Sequence, residues 1–245
     1  MNAPAHPHVQ NQPALDIRDK AKGREGDEQV LDTRLYMQLQ VFTGCRSVEP
    51  LIESLRQLNV PSVLYQDVND AQGVALLTMS EDENTFVNEV RALLLSDAWS
   101  GLTQRPEFTM IGRTYATGRE PDLKDWMLEK PRRNVMKPDW PWAVWYPLRR
   151  KPEFEVLTPE EQGKILFEHA RIGMTYGRAE LAHDVRLACH GLDKNDNEFV
   201  IGLIGQRLHP LSRCVQDMRK TQQTAKYIQS LGPFFVGKAC WQSHQ

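Results

Sequence analysis

No apolar run in this sequence approaches the roughly 20 residues that span a bilayer as a helix. That excludes a helical membrane span. The N-terminus lacks the apolar core of a secretory signal, so the expected location is the cytoplasm. Cysteine is scarce: Cys45, Cys189, Cys214 and Cys240 are the only four, and no two stand as Cys-x-x-Cys. Zinc-ribbon and thioredoxin-type chemistry are thereby excluded, and the four read as small buried side chains. Excess charge of either sign is also missing, with a formal net charge of −2. Such a chain has no field to draw nucleic acid or an anionic membrane, so neither is an expected partner.

What remains is an ordinary globular composition, 40% hydrophobic and 25% charged over 245 residues. One large domain or two small fused ones would suit that length. Residues 1–30 differ from the rest: rich in Pro, Gln and charge, without apolar periodicity. They cannot bury enough surface to offset their ordering entropy and are expected to form a mobile arm.

Leu35 to Phe42 is rich in β-formers and reads as a strand. Val48, Leu51, Ile52 and Leu55 follow at helical spacing. Val63–Tyr65 and Val74–Met79 read as strands around the Asn69–Gly73 turn. Asp82 opens a second helix bearing Phe86, Val87, Val90, Leu93 and Leu94. Phe108–Ile111 closes the set, and the order is β-α-β-β-α-β.

The second half repeats that order. Ala143–Tyr146 is a strand. Thr158-Pro159-Glu160-Glu161 combines an N-cap Thr, a Pro at the first helical position and a Glu three residues after the cap. The helix it opens is expected to reach Ile172, with Gly173 at its C-cap. Strands over Val185–Cys189 and Phe199–Ile204, a helix over Leu211–Lys220 and a strand over Phe234–Val236 complete it. The expected fold class is α+β, with tandem ferredoxin-like repeats over 31–112 and 142–241. The segment 113–141 between them is rich in Pro, Trp and Arg, and loops that long usually have a function.

Four segments of the second half carry specific patterns: WYPLRR (Trp145–Arg150), LTPEEQGKILFEHARIG (Leu157–Gly173), GLDKNDNEFVIGL (Gly191–Leu203), and VQDMRK followed by LGPFFVG (Leu231–Gly237). In that order and spacing they resemble the chlorite dismutase-like family of heme proteins, nearest to the coproheme decarboxylases. The first half matches in element order, with MIGRTYA as a local echo. The resemblance implies a dimeric α/β-barrel type of fold, ring-shaped homo-oligomers such as pentamers, and heme in the C-terminal repeat. It also implies an iron porphyrin, either iron coproporphyrin or heme b, with hydrogen peroxide as co-substrate.

By that resemblance His169, in FEHARIG, is the axial ligand to iron. Spacing alone places it on the face of Ile165 and Leu166, where a satisfied core histidine is the better reading, and the surrounding motif reverses that preference. A ligand imidazole needs an acceptor for its other ring nitrogen, and the sequence does not name one. Tyr146 matches the family's Tyr-Pro motif. There the tyrosine is thought to relay a radical that removes hydrogen from a propionate, leaving a vinyl group and carbon dioxide. A packed strand tyrosine is the alternative.

Arg132, Arg133, Arg149 and Arg150 flank that strand as two basic pairs. The family has basic residues in comparable places, with a lysine where Arg149 or Arg150 falls. Arginine binds carboxylates through paired hydrogen bonds, and a solvated surface cluster is the alternative. Leu148 and Met174 are candidates to line the porphyrin, against ordinary core packing. Chlorite dismutases have an arginine on the strand after the ligand helix, and many decarboxylases a glutamine. Counting forward from His169 reaches Ala182, and counting back from Gly191 reaches Asp184; Arg186 lies off the expected position. Chlorite dismutation is therefore disfavoured, and His183 becomes a candidate acid/base for peroxide. The alternative functions are a heme carrier or sensor without turnover, and another heme-dependent peroxidase-like enzyme.

Overall fold

In the computed structural model, residues 14–243 are described. Residues 1–13 and the tail histidine His244 lie outside them, as do His6 and His8. The remainder of the expected arm is not free. β1 (Asp19–Lys22) and β2 (Glu28–Leu31) form an antiparallel hairpin. Asp19 accepts from the Ala116 amide at 2.9 Å and pairs with Arg34 at 3.0 Å. The Gln29 side-chain oxygen accepts from the Leu123 amide at 2.7 Å, and Ala21 is buried. Such polar anchors leave no hydrophobic period, which is why composition alone reads the segment as an arm.

The first repeat runs β3 (Tyr36–Thr43), α1 (Glu49–Arg56), β4 (Ser62–Asp67), β5 (Val74–Ser80), α2 (Asn84–Val87), α3 (Glu89–Leu94), α4 (Asp97–Ser100), β6 (Thr103–Gln104) and β7 (Met110–Arg113). The single helix expected after Asp82 is three short ones. Non-helical backbone at Asn88 and Ser96 separates them.

In the connecting segment a π-helical turn over Asp125–Glu129 leads into α5 (Lys130–Val135). The second repeat is β8 (Trp142–Arg150), α6 (Pro159–Arg178), β9 (His183–Ala188), β10 (Phe199–Gly205), α7 (Leu208–Met218), β11 (Ile228–Leu231) and β12 (Phe235–Gln242).

Eight strands pair in a closed cycle: β10, β9, β7, β3, β5, β4, β12, β8 and back to β10. Side chains alternate across each strand. One set, including Leu39, Val63, Leu77, Trp145, Val185, Val200 and Phe235, forms a shared core inside the cycle. The other set meets the helices outside. α1 and α4 cover the first half, while α6 and α7 cover β8, β9 and β10 of the second.

α6 passes the expected stop at Gly173 by about one and a half turns. Ile172 and Tyr176 continue its inner face, and the Tyr176 hydroxyl donates to Asp217 of α7 at 2.8 Å. A Cβ at Gly173 would sit 3.6 Å from the Met218 methyl. That is an ordinary contact distance, so packing does not demand glycine; the inner-face contacts of Ile172 and Tyr176 offset its cost inside the helix, about 1 kcal/mol relative to Ala.

Candidate functional site

The helix start legible in the sequence is present in full. Thr158 Oγ1 accepts from the Glu161 amide at 3.3 Å, and the Glu161 carboxylate accepts from the Thr158 amide at 2.9 Å. This capping box fixes the register of α6. Ile165, His169, Ile172 and Tyr176 consequently share one face, turned toward β9 and α7.

His169 is half-buried. Its Nδ1 lies 3.1 Å from Thr221 Oγ1. The neighbouring Glu168 carboxylate accepts from the Gln222 amide at 3.1 Å, so two bonds tie α6 to the turn after α7. Burial lowers the imidazole pKa; Asp184 and Glu168 oppose that shift, and Arg186 adds to it. A neutral ring with one nitrogen engaged is the form that can donate the other to a metal. Beside His169 the helix presents Leu166 and Met174, both partly exposed, together with Ala170.

On β9, Val185 and Leu187 enter the inner core, so Asp184 and Arg186 face outward toward the helices. Arg186 is in register with Ile201 of β10, and Ile201 with Tyr146 of β8. These three form one row across the sheet, its ends about 10 Å apart. The next row is Ala188, Phe199 and Leu148. Arg186 therefore lies on the same outward face of the sheet as Tyr146. Its Nε lies 3.1 Å from Asp184.

Tyr146 is buried and stacks on Phe234, with centroids 4.6 Å apart at 26°. Burial raises the phenol pKa strongly, helped by the negative charge of Asp184. It stays protonated across the physiological range. Leu148 is buried in the same cluster.

The four arginines divide. Arg150 shares the outward face with Tyr146, wedged between Phe154 and Phe199 at 4.6 and 4.7 Å, and pairs with Glu198 at 3.3 Å. Arg149 points away and donates to the carbonyls of Asn195 and Asp196, clamping the β9–β10 loop. Arg132 pairs with Glu81 at 3.1 Å, and Arg133 with Asp125 at 2.9 Å. Neither is among the charges that act on His169. If Arg149 only braces the loop, Arg149→Ala should lower the melting temperature and leave porphyrin affinity within about twofold. A larger loss of affinity by absorbance titration would return Arg149 to the site.

The structure does not bring His183 to this face. It sits on the opposite face of β9 from Asp184, stacked on Trp140 at 3.8 Å and 14°, with Glu180 3.5 Å from its Nε2. Strand alternation is the reason: an odd step from Asp184 turns it inward. Burial lowers its pKa, as for His169. Both imidazoles bind a proton less readily folded than unfolded. The stability they contribute is present above about pH 6.5 and is lost as pH falls through the lowered folded values. The melting temperature of the porphyrin-free chain should fall from about pH 7 to about pH 5, and His183→Phe should flatten that fall. An unchanged slope in the variant would exclude His183 as a contributor.

Sequence reasoning missed three residues beside this face. Tyr115 packs on Phe199 at 5.6 Å, and Lys130 lies 3.4 Å above the Trp126 ring. With Glu120, Asp184 and Arg186 they line a polar cavity of about 30 Å³, room for a water molecule. The signal was the length of the segment 113–141, which named the region but no residue.

The chlorite dismutase family model matches residues 83–240, well over half of the chain. Among solved structures, a heme-binding protein from Thermus thermophilus superposes with a TM-score of 0.69 at 18% identity, over 85% of this chain and 92% of that one. A variant chlorite dismutase from Candidatus Nitrospira defluvii gives 0.64 at 14% identity, over 85% and 92%. The same organism's enzyme in complex with imidazole gives 0.65 at 14%, over 84% and 90%. At these identities the likeness is one of fold. No curated protein sequence matches the chain. With an α+β tandem-repeat fold, the family match and a histidine on the expected helix face, the chain belongs to the chlorite dismutase family of heme proteins.

Proposed function

We propose that the chain binds an iron porphyrin through His169 and, with peroxide, oxidatively decarboxylates iron coproporphyrin. The observation that carries the reading is the joint placement of His169, Arg186 and Tyr146 over one outward sheet face. The residues fit the group. His169 has one nitrogen held by Thr221 and is kept neutral by burial. Leu166 and Met174 offer apolar surface beside it. Lys130 is a cation beside this face for a propionate, with Arg186 and Arg150 available as donors despite their pairs with Asp184 and Glu198.

Bound iron porphyrin supplies the oxidising power that peroxide delivers. Each of the two propionates that react loses one β-hydrogen and one further electron, carbon dioxide departs, and a vinyl group remains. One peroxide, reduced to water, accepts the two electrons. Tyr146 is the residue we assign to the hydrogen step, and its place on the same outward face as Arg186 supports that reading. Because its phenol is held protonated, it gives up proton and electron together rather than in sequence. Arg186 bears on the choice of oxidant. Paired with Asp184 at 3.1 Å, it is partly neutralised, and the carboxylate repels an anion such as chlorite. Neutral peroxide meets no such penalty.

One observation favours a second reading, heme binding without turnover. Arg132, Arg133 and Arg149 are engaged in internal pairs, leaving few free cations for the four propionates of coproheme. The two readings part in one experiment: load the protein with iron coproporphyrin, add peroxide stepwise, and weigh the porphyrin by mass spectrometry. Stepwise loss of two carboxyl groups is expected. Tight binding without mass loss would move the function to heme carriage.

A further inference from the structure

We propose that Thr221 is a positioning residue that holds His169 in the tautomer with hydrogen on Nδ1, so that Nε2 is the nitrogen offered to iron. Thr221 is 2% exposed, and its side chain has no access to bulk water. Its hydroxyl has one proton. The nearest acceptor is the Met218 carbonyl at 2.8 Å, in the last turn of α7, whose second lone pair takes the Thr221 amide at 3.1 Å; Thr224 Oγ1 is farther, at 3.4 Å. With the proton committed to that carbonyl, the oxygen faces His169 Nδ1, 3.1 Å away, as an acceptor. Nδ1 must then donate.

A second consequence follows from the chemistry of the acceptor and rests on the reading of His169 as the iron ligand. A hydroxyl cannot take the imidazole proton, whereas a carboxylate draws it and makes the ring a stronger donor. The two nearby carboxylates are otherwise engaged: Glu168 by the Gln222 amide and Asp184 by Arg186. His169 therefore coordinates as a plain neutral imidazole. A carboxylate placed at Thr221 would stabilise ferric over ferrous iron and lower the reduction potential.

The tautomer is tested without porphyrin, on the full chain labelled with ¹⁵N-histidine, His169→Gln identifying the resonance. The expected spectrum has a protonated Nδ1 and an unprotonated Nε2. Thr221→Val should exchange the order of the two nitrogen shifts, since free histidine prefers hydrogen on Nε2, and Thr221→Ser should restore it. Hydrogen on Nε2 in the unaltered chain overturns the proposal, even if every variant misfolds. A Val variant with an unchanged tautomer also overturns it. In the iron-porphyrin complex Thr221→Asp should lower the potential, and an unchanged or raised value contradicts the second consequence. Failure to bind porphyrin would remove the proposed function while leaving the tautomer result intact.

Discussion

His169→Ala should weaken iron-porphyrin binding by on the order of 100-fold or more, judged against the 10- to 100-fold typical of losing only an outer-sphere partner. The fold should survive. His169 is half-buried on a helix held by its capping box, by Ile172 and Tyr176 in the outer cluster, and by the Glu168–Gln222 bond. The truncation also removes a poorly solvated imidazole, which limits its cost. Absorbance titration with iron coproporphyrin reads the affinity, and circular dichroism checks the fold. Unweakened binding in a folded variant would mean that the porphyrin is held elsewhere. Metal-free coproporphyrin serves as the control: without iron to coordinate, its binding should respond little to the substitution.

Tyr146→Phe should abolish vinyl formation and leave coproheme bound with affinity within about tenfold, or 1.4 kcal/mol. Removing one hydroxyl keeps the ring, its stack on Phe234 and its packing in the outer cluster. Stability should change by no more than about 1.5 kcal/mol. What disappears is the atom that can release hydrogen. Mass spectrometry after stepwise peroxide should return intact iron coproporphyrin. Full turnover would eliminate Tyr146 as the relay, and loss of binding together with turnover would make it a packing residue.

Element order was legible because both repeats carry strong local signals. β-formers mark β3, β5 and β10, and Thr158 to Glu161 fixes the start of α6 to the residue. Ends were less legible. Gly173 looks like a stop locally, and the contacts of Ile172 and Tyr176 with the outer cluster and α7 carry the helix past it. The hairpin at 19–31 depends on single anchors from Asp19 and Gln29 to residues 97 and 94 positions away, contacts that no window along the chain can contain.

The site was legible in part. His169 and Tyr146 rest on motifs, and the structure sets both on the outer side of the second repeat. The residues near them on β9 depend on which face each occupies. A one-residue change in register turns every side chain over. Counting along the chain could not distinguish His183, which faces the core, from Asp184 and Arg186, which face the helices. Nor could it show that Arg149 spends its donors on the carbonyls of a neighbouring loop while Arg150, one residue on, shares the outward face with Tyr146.

Ligation of iron by His169 is tested most directly by resonance Raman spectroscopy of the ferrous iron-coproporphyrin complex. The unaltered chain should show an iron–imidazole stretching band. His169→Gly should lack that band and regain one when free imidazole is added. A band that persists unchanged in His169→Gly would assign the iron to another residue and contradict the account at its centre.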